Sequence, residues 1–156
     1  MAKELLTDGQ AVVGSLYVKH GLAFQELTES FAASAFTDDT GANGHAHFTG
    51  ALPAGALVLA GKVVVTRGFI GDVCAVMIVG DGSDDDRYGV HGSTIDIFTA
   101  ATAGIDLGLP HPAKRFHPAA VTPKIMVTSN AAFANVIAGS PNGLITVSLY
   151  YINTLA

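Results

Sequence analysis

The chain has 156 residues, the size of one ordinary domain, and is 49% hydrophobic and 13% charged, so a large core is available to it. A net charge of -5, with eight basic residues scattered singly, gives no electrostatic footprint for DNA or RNA, and no nucleic-acid partner is expected. The longest apolar run, residues 73–79, stops at Gly80 and Asp81, far short of the ~20 residues a spanning helix needs, so no membrane partner is expected either.

Residues 1–9 read as an N-terminal arm, polar apart from Leu5 and Leu6, and residues 10–156 as a single domain. The arm carries acids where a signal peptide needs a basic region and then an apolar stretch, so secretion by that route is not expected. Residues 11–18 read as a strand, His20 and Gly21 as a turn, residues 22–27 as a partner strand and residues 31–36 as a strand of small residues. Residues 37–44 are dense in turn formers and predict an exposed loop, after which residues 45–48 resume as a strand. In Ala51-Leu-Pro-Ala-Gly55, Pro53 fixes φ and Gly55 permits a positive one, which predicts a turn feeding strands over residues 56–60 and 62–66.

Residues 73–79 are uniformly apolar between Gly71 and Gly80, which predicts a strand buried on both faces. Cys74, the only cysteine, has apolar neighbours on both sides and reads as a buried small hydrophobe. Residues 81–86 predict an exposed loop with solvated acids, residues 94–98 a strand, and residues 100–108 a small, flexible stretch. Pro110, Pro112 and Pro118 exclude helix and central strand, leaving an irregular crossing loop. Residues 123–128 and 132–138 are further strand candidates. The last strand alternates cleanly: Ile145, Val147, Leu149 and Tyr151 share one face, expected in the core, while Thr146 and Ser148 take the other, expected to meet solvent or a neighbouring subunit. About eight strands, one long crossing connection and no substantial helix predict an all-β, two-sheet antiparallel jelly-roll sandwich.

Chemistry is sparse along this order. His45 and His47 are two apart, so on a strand both imidazoles point to one face, as a metal site would want. The cupin pattern that uses such a pair needs a following Glu and a later His. No Glu follows His45, and Leu57 and Val58 stand after Pro53-Ala-Gly55 where that His belongs. The pair therefore reads as solvent-facing or interface histidines, with no metal or cofactor expected. Asp81, Ser83 and Asp85 alternate like calcium ligands, but the chain has Asp86 and Gly92 where an EF-hand loop has Gly and Glu. Asp86 and Arg87 read as a local pair. No nucleophile elbow or phosphate-binding loop is present, and the chain has no Trp to stack on a sugar. No enzymatic activity is expected.

With that order in place, several segments resemble one family. They are residues 31–36, Ala51-Leu-Pro-Ala-Gly55, Lys62-Val-Val-Val-Thr-Arg-Gly-Phe69, Val79-Gly-Asp-Gly82 with Asp86-Arg87-Tyr88, and Gly143-Leu-Ile-Thr-Val-Ser-Leu-Tyr-Tyr151. Over roughly residues 30–152 the chain resembles the jelly-roll head decoration, or cement, proteins of tailed bacteriophages. That resemblance implies a non-enzymatic virion protein, made in the host cytoplasm and assembled as a homotrimer on the outer capsid surface, with the major capsid protein as partner. It carries no catalytic residues across. Leu5, Leu6, His45 and His47 are the candidate assembly residues. Two alternatives are a receptor- or carbohydrate-binding jelly roll, which would need exposed aromatics such as Tyr88 or Phe116, and a cupin-like metalloenzyme resting on His45 and His47.

Overall fold

The cleanest alternation in the chain becomes the middle of a sheet. In the computed structural model, which describes residues 23–89, 95–98, 100–108, 112–130 and 132–154, β9 (Leu144–Asn153) lies between β1 (Phe24–Ala32) and β4 (Ala56–Arg67), antiparallel to both. Ile145, Val147 and Leu149 are wholly buried and Tyr151 nearly so, as the two-residue period requires. Thr146 and Ser148 take the opposite face. Ser148 is nonetheless buried rather than wet, because its hydroxyl shares a 2.8 Å hydrogen bond with Thr28 on the neighbouring strand.

The remaining strands are β2 (Thr37–Asp38), β3 (Asn43–His47), β5 (Ala75–Gly80), β6 (Ile95–Asp96), β7 (Ala101–Asp106) and β8 (Lys124–Ser129). One sheet has the order β1-β9-β4-β7 and the other β2-β3-β8-β5-β6. Setting aside the two-residue β2, the pairs run first with last: β1 with β9, β3 with β8, β4 with β7 and β5 with β6. That is one long antiparallel hairpin rolled into two facing sheets, the jelly-roll topology. Between the sheets lies a ring cluster in which Phe36 meets Phe69 and Phe133 edge-on at 5.6 and 6.0 Å, and Phe31 meets Phe48 at 5.0 Å.

Local departures from the sequence expectations have physical causes. Residues 132–138 form not a strand but the helix α1 (Phe133–Gly139), because Phe133 and Val136 are three apart and share a buried face while Ala134 and Asn135 stay wet. Gly44 on β3 makes room for it: a Cβ there would stand 2.0 Å from the Phe133 ring. The stretch 100–108 is largely ordered as β7, held at the sheet edge by pairing with β4. Residues 56–66 make one strand rather than two, and its bareness at Gly61 admits Leu107 from the loop after β7. The small-residue strand at 31–36 stops at Ala32, where a 3-10 turn (Ala33–Ala35) takes over, and the loop at 37–44 contains β2 and the start of β3. β5 is buried on one face only, with alternate residues partly exposed; Cys74, just before it, is half-buried rather than sealed in the core. The turn at Gly55 is as expected, with φ of 83°. The expected strand at residues 11–18 lies outside the described residues, as do Leu5 and Leu6.

Candidate functional site

His45 and His47 stand on the outer face of β3, because Gly44 and Ala46 between and beside them are buried. Their rings meet edge-on with centroids 5.2 Å apart. The β2–β3 hairpin turns through Thr40 and Gly41, at φ of 70° and 77°, and brings Asp39 back beside His45. The His45 Nδ1–H donates to Asp39 Oδ1 at 2.6 Å. Among the described residues no three metal-ligating side chains converge on one point.

A second surface lies on the outer face of the four-stranded sheet. Register places Phe24 opposite Ile152, Ile152 opposite Leu57, and Leu57 opposite Phe116, so one row of four apolar residues crosses β1, β9, β4 and the crossing loop. Phe24 is 65% exposed and Phe116 42%, and Leu57 and Ile152 are partly exposed. Further along the same face the row turns polar: Thr28 bonds Ser148, and Ser30 bonds Thr146 at 2.7 Å. Lys62 lies over Gly104, where a Cβ would stand 2.1 Å from its Cε, and opposite Asp106. An apolar strip bordered by Glu26, Lys62 and paired hydroxyls has the make-up of a protein contact, an apolar centre with a polar rim.

The acids at 81–86 are not all solvated. Asp81 is 2% exposed, and its Oδ1 accepts hydrogen bonds from the Ser83 N–H, the Ser83 hydroxyl and the Asp84 N–H, at 2.8, 2.7 and 3.0 Å. Its Oδ2 faces the Arg87 Nε at 3.3 Å. Burial works to raise the Asp81 pKa, but these hydrogen bonds and the Arg87 charge outweigh it and hold the carboxyl below its ordinary value of 3.8. Both oxygens of Asp81 are turned inward to tie the loop. Arg87 also donates to the Lys114 carbonyl at 2.9 Å, and Lys114 reaches back to Asp84 and Asp86 at 2.7 and 3.2 Å.

Beneath this loop the Tyr88 hydroxyl and His117 Nε2 share a hydrogen bond of 3.1 Å, both side chains almost wholly buried. Burial, followed by the Arg87 charge, lowers the His117 pKa; burial, with the nearby carboxylate of Asp81, raises that of Tyr88. Both groups are therefore neutral over the physiological range. Tyr88 is thus no exposed platform for a sugar, contrary to the aromatic role considered from sequence. His117 also pins the crossing loop to the start of β4, its N–H donating to the Ala56 carbonyl and its carbonyl accepting from Gly55. No spacing in the sequence marks this set; Asp81, Tyr88 and His117 come together only through the roll.

A cleft of about 360 Å³ opens between β5, β6 and β7, and its lining includes Asp86, Asp96 and Asp106. Asp96 and Asp106 cap the Phe98 and Gly108 N–H groups, and Asp86 holds Lys114, so each carboxylate already has a structural partner.

No protein-family model matches the chain, and no curated protein matches it. Among solved structures it is similar to a chain of the cyanophage Pam1 capsid asymmetric unit, at 20% identity over 84% of each chain and a TM-score of 0.50. A chain of the acid-stable capsid of Helicobacter pylori bacteriophage KHP30 matches at 14% identity, over 85% of this chain and 94% of that one, with a TM-score of 0.44. The likeness to the Pam1 chain is one of fold, and it extends over most of both chains.

Proposed function

We propose that this chain is a structural, non-enzymatic virion protein that decorates the outer surface of a phage capsid as a homo-oligomer, a trimer, with the major capsid protein as its partner. The observation that carries this reading is the jelly-roll order β1-β9-β4-β7 over β3-β8-β5-β6, in a chain whose fold is similar along 84% of its length to a chain of the Pam1 capsid asymmetric unit. The apolar row Phe24, Ile152, Leu57 and Phe116 supports it, since such a row is what a subunit or shell contact would cover. The inward use of Asp81, Tyr88 and His117 supports it too, because the most polar cluster described serves to lock loops. Light scattering on the full chain tests the oligomer: a mass near three times 15.9 kDa is expected, and Leu57→Asp and Phe116→Asp should reduce it toward one chain with the fold intact. A monomer at tens of micromolar, or a trimer indifferent to both substitutions, would contradict this assignment of the surface.

A further inference from the structure

We propose that His45 and His47 form a two-histidine binding site for a divalent transition-metal ion of the Zn²⁺ class, with Asp39 holding His45 in the ligating tautomer. Alternation along β3 puts both rings on one side of the strand, and the buried Ala46 between them anchors the backbone that carries them. An imidazole nitrogen lies about 1.1 Å from its ring centre and binds Zn²⁺ at about 2.0–2.1 Å, so two rings on a tetrahedral ion have centroids about 5.2 Å apart. The observed separation is 5.2 Å. The spacing of the two rings is thus already that of two imidazoles sharing one ion.

Asp39 supplies what the sequence spacing does not reveal. Its Oδ1 accepts the His45 Nδ1–H at 2.6 Å, which leaves the lone pair on Nε2. A carboxylate behind a histidine in this way fixes the tautomer and the orientation of the ligating ring. The carboxylate is itself held in place, since the Asp39 N–H donates to the Asn43 carbonyl at 3.0 Å across the hairpin. His47 is exposed and His45 partly so, which leaves an entry path. Two imidazoles select Zn²⁺, Ni²⁺ or Cu²⁺ over Mg²⁺ and Ca²⁺, which want oxygen. The remaining positions on such an ion are open to water.

The test is calorimetric titration of the full, tag-free chain, stripped with chelator, using ZnCl₂ and, as a control, MgCl₂. Saturable Zn²⁺ binding in the micromolar range is expected, with none for Mg²⁺. His45→Ala and His47→Ala should each weaken it at least tenfold, and Asp39→Ala by about tenfold, the usual effect of losing a ligand's supporting carboxylate. All three side chains lie at the surface, and circular dichroism of each variant checks that the fold is kept. The absence of Zn²⁺ binding below millimolar concentration would overturn the proposal. So would a titration unchanged in the His45→Ala/His47→Ala double variant, which would assign the ion to His20, His91, His111 or His117.

Discussion

Replacing Asp81 by Ala removes the acceptor on which the 81–87 loop closes, and its cost can be worked bond by bond. Three donors converge on Oδ1, and Arg87 lies 3.3 Å from Oδ2. Ser83 is exposed, so its N–H and hydroxyl regain water when the carboxylate is lost. The Asp84 N–H and the Arg87 guanidinium are less accessible, and hydrogen bonds to charged groups are worth about 1.5–3 kcal/mol each. The expected destabilisation is therefore about 3–6 kcal/mol for Asp81→Ala. Asp81→Asn keeps an oxygen for the N–H donors but loses the charge opposite Arg87, for about 2 kcal/mol. Against a total stability of ~5–15 kcal/mol, both are easily measured. Urea unfolding at pH 7 reads them as midpoint shifts at constant slope. If Asp81→Ala lies within about 1 kcal/mol of the parent, the carboxylate is solvated as the sequence alone suggested, and the buried geometry described above is wrong.

Three further outcomes follow from burial and register. Val147→Asp places an unpaired carboxylate between Ile145 and Leu149 in the core and should prevent folding, whereas Thr146→Asp, on the partly exposed outer face, should fold; a well-folded Val147→Asp protein would refute the register of β9. Cys74, half-buried, should react with a thiol reagent in the native state, and protection until unfolding would contradict its placement. The pKa of His117 is lowered on folding, so below the ordinary value of 6.5 the unfolded chain takes up a proton before the folded one does. Stability contributed by neutral His117 is thus fully present above pH 6.5 and declines as pH falls from there toward the folded pKa. His117→Gln should flatten that part of the stability–pH curve, and an unaltered slope would show that His117 does not carry it.

The fold was legible where period and burial agree. β9 and the turn at Gly55 were visible because alternation and turn chemistry are local signals. α1 was not, since Ala, Phe, Val and Ile around the single Asn135 in residues 132–138 fit a short strand as well as two turns of helix, and what selects helix is Phe133 docking against the glycine at position 44 of β3. β7 was missed because small residues and Gly104 have little strand propensity of their own; pairing with β4 overrides that. The functional residues divide in the same way. His45 and His47 could be picked out by spacing, but Asp39 joins them only through the hairpin, and the row from Phe24 to Phe116 exists only in register across four segments. Sequence alone makes Asp81 wet because loop acids usually are, and its burial depends on Ser83, Asp84 and Arg87 wrapping around it.

The claim that this chain decorates a capsid is tested most directly by adding the purified protein to phage heads assembled without it and sedimenting the two together. The account predicts saturable co-sedimentation at a fixed ratio to the major capsid protein, weakened by Leu57→Asp and Phe116→Asp, together with greater resistance of the heads to heat. Protein left wholly in the supernatant at saturating concentration, with head stability unchanged, would contradict it.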